Sequence, residues 1–284
     1  MATLRDVLKN TESTLHENIT YSIDEAKLEA RFILEHVLKI NQKEIIQENS
    51  RHLSTEDEVQ IQSITEKRIA GHPLPYLLGE WSFYGRTFKV NPHVLIPRAD
   101  TETLIEKVLS KKNKHDALHI LDLGCGTGII GITLALERPL SKVILIDQSE
   151  DALKNTKENL ALHQAPNITI QKSDWFSALA NTKFDVIVSN PPYLENSDPH
   201  LLEDLKHEPI DALISGSTGM SAIEHIIEQA KHHMHRDAWL FIEHGYNQAE
   251  IVKDLFKKNG YQEIEHAKDI HGIHRVTFGQ YSIV

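Results

Sequence analysis

From His119 onward, short apolar runs alternate with longer helical stretches, and this alternation limits the fold more than any other feature of the chain. His119–Gly124 reads as a strand, leading into a glycine-rich turn and an apolar helix containing Ile129 to Leu136. Lys142–Asp147, Ile168–Lys172 and Phe184–Ser189 read as three more strands, with a helix from Glu150 to about His163 after the first of them. Trp239–His244 is a fifth, and Ile264–Ala267 with Arg275–Phe278 is a closing pair. Runs this apolar suit strands covered on both faces. The expected fold is therefore α/β, a mostly parallel sheet with helices on both sides. Sheets of this kind bind ligands just past the carboxyl ends of their strands, where the strand order reverses.

Residues 1–70 read differently. Thr3 with Asp6, Ser22 with Glu25, and Asn41 with Glu44 each look like a helix start, a short polar cap with an acidic partner three residues on. Thr55 with Glu58 opens another helix running to Gly71, and Ala26, Ala30, Ile33, Leu34, Val37 and Leu38 form an apolar stripe at helical spacing. These pieces are short and amphipathic, so they are expected to form one small helical bundle closing near residue 70. Residues 71–98 then carry the prolines and glycines of a linker. Within it, Phe83-Tyr84 and Thr87–Val90 flank Gly85-Arg86 as a β-hairpin. A catalytic domain is expected over 99–284, opening with a helix through Leu109.

Two strand ends carry the chemistry. After the first strand comes Asp122-Leu123-Gly124-Cys125-Gly126-Thr127-Gly128, whose glycines let the backbone approach a ligand closely. Gly126-Thr127-Gly128-Ile129-Ile130-Gly131 also fits the dinucleotide pattern, with Asp147 roughly 20 residues on, as a ribose ligand should stand. This pattern by itself also fits a nicotinamide dinucleotide, NAD. After the fourth strand comes Asn190-Pro191-Pro192-Tyr193. Both prolines fix φ and lack a backbone N–H, so the corner is stiff and presents acceptors. A planar amino group with two N–H bonds to give suits it, and Tyr193 can stack on the group that carries it. A dinucleotide oxidoreductase has no evident use for such a clamp. S-adenosylmethionine does: it offers a ribose to Asp147, an adenine to Asp174 and Trp175, and a methionine tail to the loop from Asp122 to Gly128, with its methyl directed at Asn190.

These motifs resemble those of the release factor glutamine methyltransferases, the HemK/PrmC group of class I S-adenosylmethionine enzymes. Gly71 to Gly85, Val94-Leu95-Ile96-Pro97-Arg98, Glu208-Pro209 and Ser215-Gly216 are similar to the same group, so the likeness spans nearly the whole chain. Asn190-Pro191-Pro192-Tyr193 alone is shared with amino methylases of DNA and RNA bases, which form the alternative reading. Ala99 stands where the family usually has proline, and His207 where an aromatic is commoner. The resemblance implies a class I, Rossmann-like fold and methyl transfer to the glutamine of the Gly-Gly-Gln loop in peptide chain release factors 1 and 2. It implies catalysis by Asn190 and Pro191, with Pro192 and Tyr193 on the substrate, and substrate recognition by the helical domain.

Composition excludes several other classes. Acidic side chains outnumber basic ones, 13 to 9 in residues 1–70 and 28 to 21 beyond, for a formal charge of −11. That argues against a broad phosphate-binding face, so no nucleic-acid partner is expected. The start Met1-Ala2-Thr3-Leu4-Arg5-Asp6 lacks the basic and apolar regions of a signal peptide. With one cysteine there is no internal disulfide framework. A cytoplasmic, monomeric protein without a membrane span is the expectation. His232, His233 and His235 lack the His-x-x-x-His spacing of a helical zinc site, so no metal is expected and the segment reads as a solvated helix end. Glu243 and His244 end a strand near the site and read as supporting rather than reacting groups. Cys125 reads as packing, and Trp81 and Tyr84 as domain packing.

Overall fold

The computed structural model describes residues 2–19, 22–202 and 205–282. Its internal contacts divide the chain into Met1–Gly79 and Glu80–Val284.

The first unit is helical: α1 Leu4–Asn18, α2 Ile23–Leu38, α3 Gln42–Gln47, α4 Thr55–Ile69 and α5 Leu74–Leu78. Thr3, Ser22 and Asn41 each form a complete capping box, the side chain and backbone of the cap exchanging bonds with Asp6, Glu25 and Glu44. The cap of α4 is Ser54, whose hydroxyl accepts from the Asp57 N–H, one residue before the expected Thr55. Both positions carry a hydroxyl with an acid three residues later, so the local pattern does not separate them. Ala26, Ala30, Ile33 and Leu34 of α2 are fully buried, and Arg68 of α4 reaches Glu29 of α2 at 2.9 Å. The glycine-proline stretch does not simply connect. Pro75 enters the first turn of α5, where its missing N–H costs nothing, and Gly79 ends the helix in the left-handed region (φ 69°).

The second unit begins with a hairpin, β1 Glu80–Phe83 and β2 Arg86–Lys89. Its turn residues are Tyr84 and Gly85, at φ 50° and 69°, the two consecutive left-handed positions that match strand twist in a two-residue hairpin. Phe83 and Phe88 are buried in the core of this unit. Asn159 fixes the hairpin: it accepts from the Lys89 N–H at 2.6 Å and donates to the carbonyls of Lys89 and Thr127, each at 2.9 Å. The following elements are α6 Glu102–Lys111, β3 His119–Leu123, α7 Ile129–Glu137, β4 Lys142–Asp147, α8 Glu150–His163, β5 Ile168–Lys172 and β6 Phe184–Ser189. The chain closes with α9 Ser221–Ala230, β7 Met234–Glu243, α10 Ala249–Lys258, β8 Gln262–Lys268 and β9 His274–Tyr281.

The seven-stranded sheet runs β5-β4-β3-β6-β7-β9-β8. Its first five strands are parallel, and β9 lies antiparallel between β7 and β8. Alternate residues of each strand enter opposite cores, as the period of two requires. Ile120, Val186, Val188 and Phe241 pack with Leu104 and Ile105 of α6 and Ile132 of α7. Leu121, Ile187, Leu240 and Ile242 pack with Ile223 and Ile227 of α9 and Val252 and Phe256 of α10. Each such side chain contributes about 1.5–3 kcal/mol by leaving water. β7 begins at Met234, five residues before the expected start, because a bulge with Asp237 at φ 59° interrupts it. His235 and Arg236 are therefore exposed strand residues, while Lys231–His233 is a 3-10 turn after α9. Among the described residues no helix is long and apolar enough to cross a membrane.

Candidate active site

The strand order reverses at β3, which has β4 on one side and β6 on the other. The ends of β3 and β6 are joined by Ser189, whose hydroxyl donates to the Leu123 carbonyl at 2.8 Å. A cavity of about 570 Å³ opens past these ends, within the usual range of roughly 300–1,000 Å³ for small-molecule and cofactor sites.

One wall is the loop from Gly124 to Thr127, with Asp147 and Trp175 beside it. Gly124, Gly126 and Gly128 all have positive φ, a backbone that side chains with a Cβ rarely adopt. Gly131, one turn into α7, is required for another reason: a Cβ there would lie 2.6 Å from Leu145 Cδ1 and 2.9 Å from Asp122 Oδ2. Asp122 is completely buried behind the loop, where its Oδ2 accepts from the Gly131 N–H at 2.8 Å and its Oδ1 has no partner. Burial raises its carboxyl to about 7, with the nearby Asp147 charge adding to the effect. Asp147 accepts from the N–H groups of Gly126 and Ser149, each at 2.9 Å. Its pKa is also raised, burial outweighing those bonds. Cys125 packs: its Sγ lies 3.6 Å from Thr156 Oγ1, and burial pushes its thiol well up.

Trp175 holds φ at 45°, a conformation costing on the order of 1–3 kcal/mol for a bulky residue. The Ser173 hydroxyl pins it there, donating to the Trp175 carbonyl at 2.6 Å. Its ring lies over Gly124. Asp174 is exposed at the cavity edge.

The opposite wall is the proline corner. Asn190 and Pro192 line the cavity, Pro191 is buried, and Tyr193 packs against the α9–α10 side of the sheet. The Tyr193 carbonyl accepts from Gln248 at 3.0 Å, and a Cβ on Gly219 would fall 2.3 Å from that oxygen. The Asn190 Nδ2 donates to Thr101 Oγ1 at 3.2 Å, whereas its Oδ1 is buried without a partner. Because Asn190 lines the cavity, a donor that reaches this buried, unpaired acceptor gains a full hydrogen bond.

The expected residues thus fall in two groups. Gly124, Cys125, Gly126, Thr127 and Asp147 line the cavity with Asp174, Trp175, Asn190 and Pro192. Asp122, Gly128, Pro191 and Tyr193 stand behind that lining. His244 is no base: its Nδ1 bonds the Gly245 carbonyl at 2.9 Å, its Nε2 bonds Thr277 at 2.8 Å, and burial lowers it to about 4. Glu243 lies closer to the chemistry than expected, against Thr101 and Asn190, and burial raises it to about 7. Thr101 itself carried no sequence signal. Neither did the role of Glu208, which accepts from the Ile96 N–H at 3.0 Å and pairs with Arg98, fixing the segment that borders the cavity. Among the described residues no group of three His, Cys, Asp or Glu is placed to hold a metal ion.

Known proteins are similar to this chain in sequence and in fold. The family model "Methyltransferase small domain" matches residues 99–217, and "PrmC N-terminal domain" matches residues 6–79. The release factor glutamine methyltransferase of Coxiella burnetii is 36% identical over 95% of this chain and 97% of its own length. Those of Escherichia coli and Vibrio cholerae are 39% and 40% identical, over 89% and 91% of this chain and 91% of each relative. Among solved structures, a methyltransferase from Pyrococcus furiosus has a TM-score of 0.53 at 16% identity, covering 71% of this chain and 92% of that one. A 16S rRNA methyltransferase from T. thermophilus, solved with AdoMet and guanosine, gives 0.54 at 16% identity, covering 71% of this chain and 49% of that one. At such identity the structures share the methyltransferase fold alone.

Proposed function

The chain belongs to the release factor glutamine methyltransferases, and from that premise we propose how its own residues methylate the amide nitrogen of a release factor glutamine. The observation that carries the proposal is the buried, unpartnered Oδ1 of Asn190, a residue of the cavity wall. The glutamine of the Gly-Gly-Gln loop enters there, one amide N–H donating to Asn190 Oδ1 and the other to the Pro191 carbonyl, on the peptide that joins Pro191 to Pro192 of the lining. Two acceptors fix the plane of the amide and aim its nitrogen, which counts because that lone pair is delocalised into the carbonyl. They also favour the positive charge that grows on nitrogen during transfer, a preorganised electrostatic effect. No strong base is needed, since the nitrogen becomes acidic on methylation and then releases its proton. Pro192 and Tyr193 keep the corner rigid around the substrate.

The methyl donor is S-adenosylmethionine, which supplies an electrophilic methyl on a sulfonium. The residues present suit it. Asp147 stands at the end of β4 to accept from ribose hydroxyls, Trp175 and Asp174 flank the place for adenine, and the Gly124–Thr127 backbone borders the place for the methionine tail. AdoMet in the T. thermophilus neighbour supports this assignment. Substrate recognition belongs to the helical unit, and the net charge of −11 argues for a protein partner rather than nucleic acid; a release factor substrate makes this a cytoplasmic enzyme.

The test is to incubate the protein with tritiated S-adenosylmethionine and, separately, with a purified release factor, DNA or RNA. Label on the release factor, lost when its Gly-Gly-Gln glutamine is replaced, is the expected result. Label on nucleic acid alone would establish the base-methylating alternative instead.

A further inference from the structure

Asn190 can work as an acceptor only if its amide is turned the right way round. The two ends of a carboxamide have nearly the same shape, and a flip would present N–H groups to a substrate that itself brings N–H groups. Thr101 meets the inner end, its Oγ1 3.2 Å from Asn190 Nδ2. Thr101 is 1% exposed, so water does not compete for its hydroxyl. A hydroxyl has one proton to give and two lone pairs. Glu243, the completely buried last residue of β7, lies beside this hydroxyl, which favours its ionised form.

We infer that Thr101 and Glu243 form a relay that sets the polarity of Asn190 and so keeps its Oδ1 turned to the substrate. The inference rests on the reading of Asn190 as the substrate acceptor. An ionised carboxylate only accepts, so it commits the Thr101 proton to itself. Thr101 is then left only lone pairs toward Asn190, and the NH₂ end of the amide must face it. The Asn190 amide also lies near enough to Glu243 to favour the ionised carboxylate, and Glu243 Oε2 is buried with no other hydrogen-bond partner. A flipped Asn190 would set its oxygen against both Thr101 Oγ1 and this carboxylate with no proton between them.

The surrounding fold holds the relay in place. Ser189 is paired with Ile242 across β6 and β7, so Asn190 and Glu243 are the next residues on neighbouring strands. Glu243 pairs with Val276 on β9, and the adjacent Arg275 binds Asp100 at 3.1 Å and Asp269 at 3.2 Å. Asp100 directly precedes Thr101, so the same arginine anchors the turn that carries the hydroxyl. Thr101 and Glu243 are positioning residues: they act through Asn190.

The experiment measures kcat on a purified release factor and calorimetric affinity for S-adenosylmethionine in the full-length protein. Glu243→Gln, which no longer dictates a direction, and Thr101→Val should each lower kcat roughly 10- to 100-fold, the scale for partners that orient a ligating group. Cofactor affinity should stay at the parent value, and Thr101→Ser, which keeps the hydroxyl, should turn over near the parent rate. In an Asn190→Ala background, neither Glu243→Gln nor Thr101→Val should slow the enzyme further, because residues acting through one group are not additive. If burial makes Glu243→Gln unfold, the Thr101 pair decides alone. A slow Asn190→Ala beside parent-rate Glu243→Gln and Thr101→Val overturns the relay but not the acceptor. Full multiplication of their effects with Asn190→Ala also overturns it. A parent-rate Asn190→Ala overturns the acceptor reading, and the relay with it.

Discussion

The cavity is made by two neighbouring strand ends built on opposite plans. β3 runs into glycines, three of them at positive φ, and its loop presents backbone that can come close to a ligand. β6 runs into two prolines, which remove backbone donors next to Asn190, whose buried Oδ1 has no partner. The first end is therefore shaped to bind, and the second to receive N–H groups in one orientation. A single fold thus separates cofactor affinity from catalysis across the switch point, and substitutions on the two sides should fail differently.

The largest effect should come from the proline corner. Asn190→Ala leaves the prolines and the glycine loop in place, so methyl transfer should fall roughly 10²–10³-fold, the scale for one preorganised contact. Calorimetric affinity for S-adenosylmethionine should hardly change. Loss of both together would mean that the two ends are not separable, and parent-rate turnover would reduce the corner to a turn. Across the cavity, Asp147→Ala should do the reverse. A ribose would lose a charge-assisted acceptor worth about 1.5–3 kcal/mol, roughly tenfold to hundredfold in affinity. Because Asp147 also holds the Gly126 and Ser149 N–H groups, Asp147→Asn is the finer test, keeping one acceptor and losing the charge. Unchanged affinity in both variants would place the ribose elsewhere.

The two ends were also unequally legible. β4, β5 and β6 could be read with their observed limits, and β3 to within one residue, because strands buried on both faces are short apolar runs with abrupt ends. The glycine loop and Asn190-Pro191-Pro192-Tyr193 are contiguous, so their chemistry could be read from neighbouring letters. Thr101 and Glu243 could not be read this way. Their meeting depends on β7 lying beside β6 in one register, and on a turn after Arg98 returning to that edge. Likewise α5 was hidden, since Pro75 marks a connector in isolation and a helix start only in context. The bulge at Asp237 concealed the beginning of β7 for the same reason: polar residues were interleaved where the strand is exposed.

A smaller effect should separate close packing from ligand contact on the binding side. Gly131→Ala introduces a methyl 2.6 Å from Leu145 Cδ1, and overpacking of this kind costs about 1–3 kcal/mol. Thermal melting should fall by about 2–4 °C for each kcal/mol in a unit of this size. Cofactor affinity should fall with it, because Asp122 and α7 would have to shift beneath the loop. A melting point equal to the parent's would show that Leu145 yields freely and that Gly131 is dispensable.

The smallest effect, and the one that sets the two ends against each other, is the response to pH. Burial raises both Asp122 and Glu243 to about 7. Unfolded, these carboxyls ionise near their ordinary values of about 3.9 and 4.3. A carboxyl whose folded pKa is raised binds its proton more tightly in the folded state. Its stabilising contribution is complete below the unfolded value and is lost as pH rises through about 7. These two groups should therefore make the protein melt higher near pH 5 than near pH 8. Catalysis should run the other way, since Glu243 directs Thr101 only when ionised, and protonation would let the Thr101 hydroxyl turn toward Asn190. Asp100 and Tyr193 also face this carboxylate, and Arg275 offsets it, so the midpoint belongs to the group as a whole. Turnover at saturating cofactor should rise through about pH 7 while the melting temperature falls. Glu243→Gln should flatten the rise in turnover and remove only part of the fall in melting temperature, leaving the share of the other carboxyls that burial raises to about 7, Asp122 and Glu29. A parent rate that is level across neutrality would show that Glu243 keeps one protonation state throughout, and that the corner is oriented without it.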